Sequence, residues 1–152
     1  MNKGYLDKTE VIMTSRKFKT FEYENEDLKE QPCEEFKELI KIPAIEFYKT
    51  IEFFNKMGCD KIWFITNPIN SNIRFYINKE IVKIDLTIKS LYPIVEDFKS
   101  LYSIEYLKAF LKNYKIKDFK DEFIILEFSN DHPIRIKFKD DWVLLAPIIN
   151  EE

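Results

Sequence analysis

The sequence is poor in the residues on which many enzyme sites and extracellular frameworks depend. Its 152 residues include one histidine, two cysteines and two glycines. It contains no P-loop, no GxGxxG and no CxxC motif, so none of these nucleotide, dinucleotide or metal sites is indicated. Two cysteines do not make a disulfide framework, and they suit a reducing compartment.

Long hydrophobic runs are also missing. The longest, FIIL and WVLLAPII, are too short to cross a bilayer as a helix. Charges at Lys3, Asp7, Lys8 and Glu10 interrupt the N-terminal stretch, which argues against a signal peptide. We therefore expect an intracellular protein with no membrane partner.

The chain does have enough apolar material for a folded core. Hydrophobic residues make up 45% of it and aromatic residues 16%. These fractions exclude wholesale disorder, and the length fits one domain or one domain with an arm. The formal net charge of -3 argues against a protein that coats nucleic acid by charge alone.

The candidates for catalysis are weak. A nucleophilic pair of His132 with Cys33 or Cys59 is formally possible, but neither cysteine has a motif context. Asp140 and Asp141 could bind a metal, yet they lie in a predicted hairpin turn, where Asp is favoured for its backbone hydrogen bonds. We predict no catalytic residues, no metal site and no cofactor, and we do not expect an enzyme.

Hydrophobic periodicity divides the first half of the chain into a strand, a linker, a second strand and a helix. SRKFKTFEY predicts a short strand, and the acidic ENEDLKEQP after it indicates a linker or extended loop. FKELIKI predicts a strand ended by Pro43, and AIEFYKTIEFFNKMG predicts a helix stopped by Gly58. The apolar stripe of this helix is predicted to consist of Phe47, Tyr48, Ile51, Phe54 and Met57.

The remainder repeats this order of elements. KIWFIT, IRFYIN and the alternating IVKIDLTI predict strands. A second helix, IEYLKAFLKNYK, is predicted to begin after the N-cap Ser103, and EFIILEF, PIRIKF and WVLLA predict the last strands. The buried stripe of the second helix is predicted to be Ile104, Leu107, Phe110, Leu111 and Tyr114. This order predicts an α+β fold with two helices packed on one face of a curved antiparallel sheet.

Three passages in the correct order resemble the C-terminal domain of the sliding clamp, proliferating cell nuclear antigen (PCNA). They are IKIPAIEFYKTIEFFNKMGCDKIWF, YSIEYLKAFLKNYK, and HPIRIKF followed by WVLLAPIINEE. The resemblance covers roughly residues 28–152 and implies the DNA-clamp (processivity) fold. It divides the chain into an N-terminal arm, residues 1–33, and a clamp domain, residues 34–152.

The departures from the family pattern bear on function. A clamp subunit normally has two such domains, and here residues 15–24 resemble the last strand of the first domain and residues 25–33 a shortened connector. Ala44 stands where the family has a helix-capping serine. Glu52 and Glu105 stand where the family often has basic residues, so the resemblance implies weaker DNA contact than in a typical clamp.

In the family the helices line the hole of a ring and present basic side chains to DNA phosphates. The resemblance therefore implies weak, non-sequence-specific contact with double-stranded DNA. The simpler alternative is a solvated helix face, which lysines form by default. The DNA-facing residues are predicted to be Lys49, Lys56, Lys108, Lys112 and Lys115.

The family's C-terminal segment and connector form an outer pocket for peptides of polymerases, nucleases and ligases. The resemblance implies such a partner pocket here, with an ordinary final strand as the alternative. Its predicted lining is Leu28, Pro32, Pro133, Leu145, Ala146, Pro147 and Ile148.

Ring closure in the family joins edge strands of neighbouring subunits, and the resemblance implies a homo-oligomer or a companion clamp subunit. The predicted interface strand carries Val82, Ile84, Leu86 and Ile88, with residues 16–23 as its complement. The function implied is a PCNA-like processivity factor and docking platform, or a single-domain derivative of one. The alternative is an adaptor or decoy that binds clamp-interacting peptides or another clamp subunit without encircling DNA. Either is expected inside the cell with replicating DNA, in a nucleus, an archaeal cytoplasm or a viral factory.

Overall fold

A computed structural model describes residues 13–14, 38–129 and 132–149. Within these ranges the chain forms strands, two α-helices and one short 3-10 helix. The strands are β1 Met13–Thr14, β2 Glu38–Pro43, β3 Lys61–Asn67, β4 Asn72–Asn78, β5 Lys83–Lys89, β6 Lys99–Ser103, β7 Phe123–Phe128, β8 Ile134–Phe138 and β9 Asp141–Leu145. The helices are α1 Ala44–Lys56, α2 Ile104–Leu111 and the 3-10 helix Ile116–Phe119.

The order of elements is a repeat of strand, helix and three strands. β2, α1 and β3 to β5 form the first half, and β6, α2 and β7 to β9 form the second. The leading strand of each half pairs with the other half, because β2 lies beside β7 and β6 lies beside β3. The two halves therefore share their sheets and cannot separate into independent units.

The predicted α+β clamp fold is confirmed, and hydrogen bonding divides its strands into two antiparallel sheets. One sheet has the order β1-β9-β8-β7-β2 and the other β5-β4-β3-β6. The strand predicted from SRKFKTFEY and the linker after it lie outside the described residues.

The two helices contact each other and pack on the inward faces of the sheets. Phe47 of α1 lies over the four-stranded sheet, with its ring centroid 6.2 Å from that of Phe64 and 5.9 Å from that of Phe75. The ring planes meet edge to face, which is a favoured aromatic geometry. In α2, Leu107 and Phe110 are likewise buried in this core.

Two predictions at the helix ends are wrong. Met57 is not part of the buried stripe; it is 45% exposed, because α1 ends at Lys56 and Gly58 (φ +82°) turns the chain away. α2 does not extend to Tyr114. The Tyr114 ring packs on Phe138 at 4.8 Å, and its hydroxyl donates to the Asp141 carboxylate.

The two helix starts differ in how their free backbone N–H groups are satisfied. The Ser103 Oγ accepts a hydrogen bond from the Tyr106 N–H at 3.4 Å, which confirms the predicted cap of α2. Pro43 precedes α1 without a side-chain cap. Instead the buried Ala44 donates its N–H to the Glu122 carbonyl at 2.9 Å. A tertiary hydrogen bond thus satisfies the first free N–H group of α1, although α1 has no side-chain cap.

Neither described α-helix has the length and apolar character needed to span a bilayer.

Candidate DNA and partner interfaces

A cleft of about 170 Å³ runs between the two helices on their outer side. Its walls combine aromatic, aliphatic and charged side chains. They are Tyr48 and Glu52 of α1, Lys108, Leu111 and Lys112 of α2 and its C-cap, and Tyr114 beyond them. The cleft is therefore the place where the charges of the two helices meet.

The structure places the five predicted DNA-facing lysines on and beside this helix layer. Lys49 and Lys56 are exposed and lie seven residues apart, which puts them on one side of α1. Lys108 is half-buried in the cleft, and Lys112 is exposed at its rim. Lys115 is exposed, but it lies beyond α2, at the N-cap of the 3-10 helix.

The helix layer is not uniformly basic. Glu52 lines the same cleft as Lys108 and Lys112. Glu46 and Glu105 are exposed in the first turns of α1 and α2. These carboxylates reduce the positive potential that the lysines create. An apolar group is present too, since Phe53 on the exposed side of α1 is 43% exposed.

The C-terminal segment divides into a buried strand end and a half-exposed tail. Leu145 is 1% exposed and belongs to the core. Its side chain therefore does not line a surface pocket, although the family resemblance implied that it would. Ala146, Pro147 and Ile148 follow it and are half-exposed. The Ile148 N–H donates to the Leu101 carbonyl of β6 at 2.8 Å, so the tail crosses from one sheet to the other.

One further predicted pocket residue lies beside this tail. Ile134 pairs with Leu145 in the β8–β9 ladder, so Pro133 stands opposite Ala146 one step beyond the last pair. Pro133 is half-exposed, like the three tail residues. Leu28 and Pro32, the predicted connector side of the pocket, lie outside the described residues.

The predicted interface strand lies at an edge of the four-stranded sheet. Ile84 and Ile88 face the core with 6% and 5% exposure, Leu86 is half-buried, and Val82 lies just before the strand. Within the described residues β5 pairs with β4 alone. The strand therefore exposes its backbone edge and its outward residues, whereas Ile84 and Ile88 of the predicted interface face the core.

One ion pair fixes the outward side of this edge. The Arg74 guanidinium donates to both carboxylate oxygens of Asp85, at 3.1 and 2.9 Å. These hydrogen bonds hold the pKa of the Asp85 carboxyl below its ordinary value. The pair joins β4 to β5, so it helps to keep the edge strand in register.

The structure shows the surroundings of Cys59 and His132, two of the residues considered for catalysis. Cys59 is buried, and burial raises the pKa of its thiol, which disfavours the nucleophilic thiolate. The His132 carbonyl accepts the Tyr102 hydroxyl at 3.0 Å. Among the described residues, no three His, Cys, Asp or Glu side chains are grouped as metal ligands. Cys33 lies outside the described part of the chain.

Two helices over a pair of antiparallel sheets with exchanged leading strands are the fold of a sliding-clamp domain. No protein-family model and no curated protein matches the sequence. Solved structures do match. The PCNA of A. fulgidus, solved with the C-terminal region of FEN-1 bound, superposes with a TM-score of 0.63 and 22% identity, covering 78% of this chain and 49% of that chain.

Two further clamps show the same likeness. The PCNA of Entamoeba histolytica gives a TM-score of 0.63 at 18% identity and covers 75% of this chain and 46% of its own. The DNA polymerase sliding clamp of Bacillus subtilis gives 0.66 at 20% identity, with 84% and 33% covered. The resemblance inferred from the sequence motifs is thus confirmed for the fold. The chain spans about half or less of the length of these clamps.

Proposed function

We propose that the chain is a PCNA-like sliding-clamp subunit, or a single-domain derivative of one, that acts as a processivity factor and docking platform. The observation that carries this proposal is the clamp-domain fold with lysines on its helix layer. In this proposal residues 34–152 are the clamp domain and residues 1–33 an arm. The role is non-catalytic and is exercised at replicating DNA inside the cell.

The helix layer is the proposed DNA side. Lys49, Lys56, Lys108, Lys112 and Lys115 approach the phosphates of a duplex. Contacts of this kind carry no sequence information and weaken as salt rises. They suit a sliding protein, which needs only weak attraction once it encloses DNA. Glu52 keeps the attraction low, because its carboxylate lies in the cleft between the lysines.

Primed circular DNA offers a direct test. A polymerase is expected to extend further per binding event when this protein is added, and the Lys108→Ala/Lys112→Ala variant should lose most of the gain. Lys41→Ala/Lys137→Ala removes the same charge from the outward face of the five-stranded sheet and should keep the gain. No gain in run length at any protein concentration would rule out an autonomous clamp.

The half-exposed tail is the proposed docking site for partner proteins. Pro133, Ala146, Pro147 and Ile148 form the described side of this pocket, and Leu28 and Pro32 are proposed to complete it. A partner peptide would insert aliphatic and aromatic anchors, as expected for peptides of polymerases, nucleases or ligases. The proline fixes the backbone of the tail, so less freedom is lost when a peptide binds.

Pro147→Gly is expected to weaken binding of such a peptide by about fivefold, because the freed backbone costs roughly 1 kcal/mol to order. Titration calorimetry with a peptide that carries aliphatic and aromatic anchors measures the change. Pro93→Gly, in the exposed loop before β6, is the matched control and should bind like the parent chain. Equal affinities for Pro147→Gly and the parent would mean that the pocket lies elsewhere.

A second candidate function is an adaptor or decoy that binds clamp-interacting peptides or a companion clamp subunit without encircling DNA. The presence of Glu52 in the helix cleft and of the exposed Phe53 on the same layer favours it. Peptide binding without any gain in polymerase run length would identify this function.

A further inference from the structure

The outward face of the four-stranded sheet carries a pattern of side chains that the proposed clamp function does not use. In β3 and β4 buried inward positions alternate strictly with outward positions, which are half-exposed except for the exposed Asn78 at the end of β4. Trp63 and Tyr76 are outward residues on these two central strands, and they are direct partners in the ladder. Two aromatic side chains therefore lie side by side at the centre of the sheet, on the face opposite the helices.

Each of these aromatic rings has a cation close to it. The Lys99 Nζ lies 4.6 Å from the centroid of Trp63, and the Arg74 Cζ lies 5.2 Å from the centroid of Tyr76. Lys99 belongs to the neighbouring strand β6, where it pairs with Ile65. The face thus combines flat π surfaces with positive groups held near them.

The charge of this face contrasts with that of the whole chain. Its outward positions hold five cations and one anion, and that anion is bound by one of the cations. On the helix layer, α1, α2 and the C-cap of α2 hold four cations and three anions. The five cations are Lys61, Arg74, Lys83, Lys89 and Lys99, and the anion is Asp85. Among the described residues, the outward face of this sheet therefore carries a larger excess of cations than the helix layer.

We propose that this face binds single-stranded nucleic acid, with bases stacked on Trp63 and Tyr76 and phosphates held by the surrounding lysines. Aromatic side chains on the central strands of a four-stranded sheet are an effective base-stacking platform, and flanking cations hold the backbone. The ligand is single-stranded because paired bases are stacked on each other and cannot reach these rings. A base that stacks on Trp63 displaces the Lys99 ammonium toward the adjacent phosphate.

The two tryptophans of the chain make the proposal directly measurable. Trp142→Phe leaves Trp63 as the sole tryptophan, so intrinsic fluorescence then reports on the proposed stacking site alone. We expect an oligothymidylate or oligouridylate of about 20 nucleotides to quench this fluorescence. The affinity should fall with salt, with a logarithmic slope of about -2 for three phosphate contacts. Comparison of the affinities of the two oligonucleotides shows whether the face prefers DNA or RNA.

Variants locate the site. Trp63→Ala and Tyr76→Ala should each weaken binding of the labelled oligonucleotide, measured by anisotropy, about fivefold or more. Lys99→Ala should also weaken binding of the oligonucleotide. This variant keeps both rings, so its effect cannot be attributed to misfolding caused by the loss of a ring. Lys41→Ala/Lys137→Ala on the outward face of the five-stranded sheet is the matched control and should bind like the parent.

Three results would overturn the proposal. They are the absence of quenching, oligonucleotide binding that depends on the helix lysines and not on Trp63 or Tyr76, and binding of an oligoglutamate peptide in place of the oligonucleotide. The assay requires neither a ring nor a duplex. Its outcome is therefore independent of whether the chain increases polymerase run length.

Discussion

Leu145→Ala is expected to lower the free energy of unfolding by about 3 kcal/mol, because it leaves a cavity at the end of the last strand. Leu145 is 1% exposed and pairs with Ile134, which is fully buried. The loss combines the transfer free energy of the removed methyl and methylene groups with the cost of the unfilled space. Urea denaturation followed by circular dichroism measures it, with an unchanged slope against denaturant.

Ile149→Ala is the matched control for this substitution. Ile149 lies four residues further along the same segment and is 49% exposed, so its truncation should change stability by less than about 0.5 kcal/mol. Equal effects of the two substitutions would contradict the division of the segment into a buried strand end and an exposed tail.

The placement of Leu145 shows what a motif could and could not predict. The WVLLAPII pattern correctly predicted a final strand, which the structure has as β9. It could not tell which side chains face inward, because Val143, Leu144 and Leu145 are all buried. The change from buried to half-exposed residues occurs at Ala146, where the tail leaves the β8–β9 ladder. Two residues later, Ile148 hydrogen-bonds to Leu101 of the other sheet. That contact joins residues far apart in the sequence, so no local sequence pattern predicts it.

Local patterns were sufficient for most of the fold. The helical spacing of Phe47, Ile51 and Phe54 predicted the buried face of α1, and the alternation in IVKIDLTI predicted the half-buried β5; both are confirmed. The division into two sheets was not predictable in the same way. It depends on which half each leading strand joins, and the apolar faces of β2 and β6 are compatible with either.

The candidate sites were less predictable than the fold. Helical spacing put Lys49 and Lys56 on an exposed face, where the structure has them. It did not show that Glu52 shares a cleft with α2, because that depends on how the two helices pack. The outward pair of Trp63 and Tyr76 was also missed. KIWFIT and IRFYIN have apolar residues on both faces of the strand, so the sequence did not indicate which aromatic residues face outward.

Two sets of hydrogen bonds determine which N–H groups of β5 point toward β4 and which point away from it. Lys79 and Val82 exchange N–H to carbonyl hydrogen bonds of 2.7 and 3.3 Å, and the Ser90 N–H donates to the Ser71 carbonyl at 2.9 Å. Both pairs are in register with the β4–β5 ladder. Hydrogen-bonded and non-hydrogen-bonded pairs alternate along an antiparallel ladder. The N–H groups of the odd-numbered residues of β5, Thr87 among them, therefore point away from β4, toward the edge that has no partner strand within the described ranges.

Thr87→Pro is expected to abolish assembly of the chain with itself while leaving the fold of each copy intact. In the proposed clamp, β5 pairs with a strand of another subunit, and proline at position 87 removes a donor from that interface and none from the β4–β5 ladder. Proline is tolerated on edge strands where its missing N–H faces solvent. The parent chain should give one discrete oligomer by sedimentation or native mass spectrometry, and Thr87→Pro should give the monomer.

Thr87→Val keeps the backbone donor at the same exposed position, so it should assemble like the parent chain. It lacks the hydroxyl, and it therefore separates the effect of losing the N–H from the effect of losing the hydroxyl. A cooperative melting transition in each of the three proteins shows that proline has blocked pairing rather than folding, although assembly raises the melting temperature of the two oligomers. An unpaired amphipathic edge invites pairing with other chains, which is why an oligomer is expected. A Thr87→Pro variant that assembles like the parent would show that the subunits meet elsewhere, and a parent chain that stays monomeric would leave the adaptor as the function to test.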